Sequence, residues 1–143
     1  MEWRLRRWAS ILFLSSLSIL AQPDNDLFVN RFHLEGTSLT VRASNLDATL
    51  EQGEPNHGTT SVATRSVWWT WIAPASGTIW IKNDVPGDFF TAIYEGDRFD
   101  SLKRVAASVR FGSELIAPVH SGVVYQVARA AHNSWQGSDV SFQ

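Results

Sequence analysis

The sequence predicts an all-β protein: an antiparallel β-sandwich of the jelly-roll kind with about eight strands, preceded by a signal-peptide helix. Three observations carry this. Beyond residue 36 the apolar residues recur with a period of two in short segments, those segments are separated by Gly, Pro, Asn, Asp and Ser, and no stretch of eleven residues holds a 3.6-residue period. Helices covering both faces of a parallel sheet are thereby excluded.

Residues 1–21 (MEWRLRRWASILFLSSLSILA) open with Arg4, Arg6 and Arg7 and continue into an apolar run broken only by serines. The run is short for a bilayer span but suits a secretory signal, with cleavage expected after Ala21. The expectation is a secreted protein, extracellular or periplasmic, with no membrane association after cleavage and one domain over residues 22–143. Removing 1–21 takes away Glu2 and three arginines, leaving 13 acidic and 9 basic residues and a net charge of −4. The remaining basic residues are scattered, so no nucleic-acid partner is expected. The absence of cysteine excludes disulfides, thiolate metal sites and a cysteine nucleophile.

Residues 22–36 read as an entry segment covering one end of the core. Asn25 or Asp26 is placed to cap a short helical turn, with Phe28 and Phe32 four apart on one side. Residues 37–43 (TSLTVRA) alternate as a first strand, Leu39 and Val41 pointing inward. Residues 47–60 (DATLEQGEPNHGTT) are a long loop, rich in turn formers.

Residues 66–72 (SVWWTWI) carry three of the seven tryptophans. In a strand, Val67, Trp69 and Trp71 share one face while Trp68 points to the other. Burying an indole removes about 150–250 Å² from water, several kcal/mol at ~25 cal/mol per Å² before entropy is counted. Trp69 and Trp71 therefore belong in the core, and Trp80 with Phe89 or Phe90 is expected to pack on them. Residues 74–77 make a turn, and residues 78–82 (TIWIK) return as a hairpin partner. Strands follow at 89–94, 102–107, 113–119, 123–129 and 138–143.

The segments NDLFVN (25–30), ATLEQGEPNH (48–57), SVWWTWIAPASG (66–77), AIYEG (92–96) and GVVYQV (122–127), in that order, resemble the pre-peptidase C-terminal-like domains of secreted bacterial proteins. The resemblance spans nearly all of residues 22–143. It implies a jelly-roll-like sandwich without catalytic activity, an accessory binding or spacer module beside extracellular hydrolases or adhesin-like proteins. Where relatives often carry an aspartate, this chain has Phe90, and where they often carry an Asp-Asp pair it runs VAASVR from Val105. With those carboxylates missing, no cofactor is expected, and weak calcium binding is the minor reading.

Three groups of residues invite a chemical role. Glu51, Glu54 and His57 lie within seven residues, close enough for a loop to turn two carboxylates and an imidazole toward one cation; the competing reading is turn chemistry around Gly53, Pro55 and Gly58. Asp84, Asp88, Asp97 and Asp100 lie in two loops without the D-x-D-x-D-G calcium spacing and read as solvated turns. Trp68 and Trp135 are the candidate ligand-binding residues, as flat platforms for a sugar ring of a polysaccharide. For Trp68 the alternative is burial beneath the 47–60 loop or the entry segment.

The four histidines (His33, His57, His120, His132) and the serines match no G-x-S-x-G, H-E-x-x-H, Walker or dinucleotide fingerprint, so an enzyme is not expected. The rival reading is a small hydrolase with dispersed carboxylates, which as a glycosidase needs Glu51 or Glu54 facing Asp84 or Asp88 across a cleft.

Overall fold

The computed structural model describes residues 22–41, 44–59, 63–82, 89–108 and 114–132. The expected strand at 138–143, the signal segment, Trp135, Asp84 and Asp88 lie outside the described residues. Among those described, the protein is all-β, with no helix long and apolar enough to cross a membrane. Seven strands are seen: β1 (Phe32–Leu34), β2 (Ala63–Ile72), β3 (Gly77–Ile81), β4 (Phe89–Glu95), β5 (Lys103–Ala107), β6 (Leu115–Val119) and β7 (Val124–His132). They form a five-stranded sheet in the order β1-β2-β7-β4-β5 and a two-stranded sheet of β3 and β6.

β2 organises the molecule. Both Trp68 and Trp69 are 0% exposed, though adjacent side chains in a strand project to opposite faces. Toward the second sheet, Val67, Trp69 and Trp71 pack with Ile93, Tyr125 and Val127 of their own sheet and with Ile81, Leu115, Ala117 and Val119 of β3 and β6. On the opposite face Trp68 lies level with Ala128 of β7, which pairs in turn with Ala92 of β4. Two alanines beside one indole leave the ring room to lie on the sheet, where larger side chains would lift it off.

The parity of β2 changes once. The pairing with β7 skips between Thr64 and Ser66, and the extra residue, Arg65, has φ +53. A one-residue bulge transfers every earlier side chain to the other face. Ala63 consequently joins Phe90 and Ala130 on the Trp68 side, although its number has the parity of Trp69.

Several expectations are corrected. β2 and β3 do not form a hairpin: β2 lies between β1 and β7, while β3 crosses to the other sheet and pairs with β6. β1 runs parallel to β2, with Phe32 opposite Trp69, so the larger sheet is not purely antiparallel. In residues 37–43 only an isolated bridge at Leu39 is seen among those described; the strand falls earlier, at Phe32–Leu34. The entry segment makes a 3-10 turn at Phe28–Asn30 without a side-chain cap from Asn25 or Asp26. Phe28 is buried and Phe32 exposed, because the chain straightens into β1 after Arg31. Trp80 is no core residue: Ile79 and Ile81 take the inner face of β3, and Trp80 points outward.

Replacing Trp69 by Ala is expected to cost about 3–5 kcal/mol of unfolding free energy. Ala128→Leu is expected to cost about 1–3 kcal/mol by overpacking beneath Trp68. Urea titrations monitored by circular dichroism measure both, and a cost near zero for Ala128→Leu would mean that Trp68 does not rest on β7.

Candidate functional site

The outer face of the five-stranded sheet is covered by residues 25–31 and 45–59, which pack around Trp68. Phe28 meets the indole edge-on, with ring centroids 5.1 Å apart; His57 does so at 5.0 Å and Phe99 at 6.2 Å, while Tyr94 lies tilted at 6.1 Å. The Arg31 guanidinium sits 4.3 Å over the Phe28 ring and closes the nest from outside. The indole N–H of Trp68 meets no acceptor among the described residues, a cost of about 1–3 kcal/mol that ring burial offsets. Trp68 is thus removed from the candidate sugar platforms. The loop and the entry segment, offered as alternative covers, both lie on it.

Backbone and side-chain hydrogen bonds fasten that cover. Asn25 borders β2 at Trp68, its Nδ2 donating to the Trp68 carbonyl at 2.9 Å and its own carbonyl accepting from Trp68 N–H at 3.0 Å. The Asp26 carboxylate accepts from Thr49 N–H at 2.6 Å and from the Thr49 hydroxyl at 2.8 Å, joining the entry segment to the loop. Irregular chain can lie over a buried surface only when its polar groups find such partners.

Glu51, Glu54 and His57 have the same purpose, which corrects the metal reading. Glu51 Oε2 accepts from Phe28 N–H at 2.6 Å, at the start of the 3-10 turn. Glu54 Oε2 accepts from Glu51 N–H at 2.8 Å, and its Oε1 lies 2.5 Å from His57 Nε2, both side chains being fully buried. The second imidazole nitrogen, Nδ1, faces the Tyr94 hydroxyl at 2.8 Å. With both ring nitrogens engaged and the carboxylates facing protein donors, the three side chains offer no shared vacancy to a cation. Among the described residues no group of three or more His, Asp or Glu is placed to hold a metal ion. The rival glycosidase arrangement also loses Glu51 and Glu54, which turn inward. In the remaining described acidic loop, Asp100 pairs with Arg98 at 3.1 Å on the surface, and this guanidinium holds its carboxyl below the usual range.

A concavity lies elsewhere, beside the edge strands β1 and β3. It encloses about 370 Å³ and is walled chiefly by Leu34, Leu39, Trp71, Ile79, Val119 and Val127, with the hydroxyl residues Thr37, Ser76 and Thr78 also lining it. Gly36, at φ +105, turns the chain between Leu34 and Leu39. Its carbonyl accepts the Trp71 Nε1–H at 2.9 Å, which satisfies the indole's polar end and leaves an apolar ring toward the cleft. The volume falls within the ~300–1,000 Å³ range of small-molecule pockets.

Next to the cleft, the outer face of β3 and β6 presents Trp80, 42% exposed, opposite Ile116, 60% exposed. Lys82 Nζ sits 4.0 Å over the Trp80 ring, and Glu114 accepts from its Nε1–H at 3.0 Å. The sequence holds the signal for this placement. Alternation in TIWIK sets Ile79 and Ile81 together against Trp80, and two isoleucines outweigh one indole in choosing the core face.

Comparison with protein-family models, curated proteins and solved structures finds no match to this chain.

Burial pushes the Tyr94 phenol well above its ordinary range, helped by the Glu54 charge and opposed by Arg104. The folded state therefore keeps a proton that the unfolded chain releases near pH 10. Stability from this group is complete below about pH 10 and is lost as pH rises beyond it. Urea midpoints between pH 8 and 11 are expected to fall for the parent protein and to fall less for Tyr94→Phe. That variant is expected to start about 1–3 kcal/mol lower because His57 Nδ1 loses its partner.

Proposed function

We propose that this chain is a secreted, non-catalytic accessory module, a jelly-roll-like β-sandwich of the pre-peptidase C-terminal-like kind, that binds a partner through the cleft beside β1 and β3. The observation that carries the reading is the contrast between the two candidate sites. The residues with catalytic chemistry, Glu54, His57 and Tyr94, are sealed beneath irregular chain, whereas the open concavity is lined by apolar and hydroxyl-bearing residues. A cleft of this composition favours binding by shape and apolar contact. General acid–base chemistry would need a titratable group within reach of the ligand, and among the described residues none lines the cleft.

Gly77 gives a direct probe. It borders the cleft, its φ lies outside the left-handed region, and a Cβ added there meets nothing within 4 Å. Gly77→Leu is thus expected to fill the cleft while leaving the fold intact. Titration with 1-anilinonaphthalene-8-sulfonate is expected to show one saturable site in the parent protein and at least a tenfold weaker one in Gly77→Leu. Turnover of ester, glycoside and peptide substrates is expected to stay at background, and a rate that Gly77→Leu abolishes would replace this reading with a hydrolase.

A second reading, a carbohydrate-binding module, is favoured by one observation: Trp80 is a solvent-exposed indole on an antiparallel pair of strands. Retention on insoluble polysaccharide is expected to fall for Trp80→Ala, with Trp135→Ala as a parallel variant. Equal retention by both variants would dismiss sugar stacking at these rings.

A further inference from the structure

We infer that the outer edge of β3 is a strand-addition site for an extended peptide of a partner protein, alternating apolar and polar residues, with one large apolar side chain seated in the cleft. This inference rests on the binding-module reading and names its partner class.

The backbone sets the first requirement. β3 pairs with β6 in antiparallel register, Gly77 opposite Val119, Thr78 opposite Pro118, Ile79 opposite Ala117 and Trp80 opposite Ile116. Pro118 has no N–H, so the Thr78–Pro118 pair is of the non-hydrogen-bonded type, and types alternate along an antiparallel ladder. Gly77, Ile79 and Ile81 consequently direct their N–H and C=O groups to β6, while Thr78 and Trp80 direct theirs away from it. Among the described residues β3 pairs with no other strand. Two donors and two acceptors in line complement another extended backbone.

The neighbouring edges differ. On β6 the same alternation turns position 118 outward, where proline supplies no donor and blunts that edge. β1 offers only three residues, Phe32–Leu34. β3, with five residues and no proline, is the edge beside the cleft equipped to accept a strand.

Side chains set the second requirement. A strand added beside β3 directs alternate residues to the face shared by Ile79 and Ile81, toward the cleft bounded by Trp71 and Val127. Its other residues turn to the solvent face, level with Thr78 and Trp80. A second copy of this chain fits poorly as the occupant. Its own Ile81 is fully buried and Ile79 packs against the same core, so neither is free to enter a neighbour's cleft. A five-residue edge also falls far short of the ~1,200–2,000 Å² that a stable pair of folded proteins buries.

The test selects a phage-displayed library of random nonapeptides on the chain without residues 1–21, then titrates the enriched peptide into ¹⁵N-labelled protein. Enriched sequences are expected to alternate apolar and polar residues around one large apolar position. Amide exchange at Thr78 and Trp80 is expected to slow at least tenfold on binding. Affinity is expected to fall at least tenfold for Gly77→Leu, which fills the cleft, and for Thr78→Pro, which removes an edge donor. Methylating the peptide's edge-facing nitrogens is expected to abolish binding.

Amides already protected in the dilute chain alone would mean that the chain covers its own edge, and would overturn the inference. Protection that grows with protein concentration would assign the edge to a second copy and overturn it equally. Indole N–H shifts of Trp71 or Trp80 without amide protection would overturn strand addition yet leave the binding-module reading standing. Failure to enrich any sequence would also overturn strand addition, and the dye titration at Gly77 would then decide the binding reading separately.

Discussion

The structure depends on one constraint: Trp68 and Trp69 are consecutive, both are fully buried, and β geometry sends them in opposite directions. A strand with one wet face needs one cover, whereas β2 needs two. The first is the sheet of β3 and β6, whose Ile81, Leu115, Ala117 and Val119 meet Trp69 and Trp71. The second contains no regular element longer than a single 3-10 turn. It is the irregular chain around Phe28 and His57, assembled on Trp68 over a floor of Ala92 and Ala128.

Covering a sheet with irregular chain raises a polar problem that a helix or sheet would not, because loops do not satisfy their own N–H and C=O groups. Here Asn25, Asp26, Glu51 and Glu54 supply those bonds, two of them reaching across more than twenty residues to join the entry segment to the loop, while His57 ties Glu54 to Tyr94. The same residue types in the same cluster would equally suit a cation or a general base. Direction separates the cases: these carboxylates face backbone donors and a buried imidazole, away from solvent.

Between the covers, the second sheet is narrower than the first, two strands against five among the described residues. The cleft lies where residues 34–39 and the edge of β3 stand over the buried Trp71 and Val127. The edge position of β3 among the described strands accounts for the outward backbone groups of Thr78 and Trp80, and alternation along β3 and β6 for the apolar Trp80–Ile116 pair nearby. Function, on this reading, belongs to the margin of the fold and not to its acidic loop.

The sequence by itself determined the all-β class, the opposed faces of Trp68 and Trp69, and the positions of most strands from β2 onward. These depend on period-two alternation and turn residues within a few positions of each other. It offered the 47–60 loop or the entry segment as a cover for Trp68 beside the alternative of a sugar platform, and the structure laid both segments on the ring. Tertiary structure alone decided which strands are neighbours. Nothing local distinguishes a hairpin at residues 74–77 from a crossing between sheets, and the parallel pairing of β1 joins segments more than thirty residues apart. It also decided that the Arg65 bulge moves Ala63 to the other face, and that Glu54 and His57 point to Tyr94. Direction in a loop is set by long-range partners, and the order of residues along the chain carries no term for it.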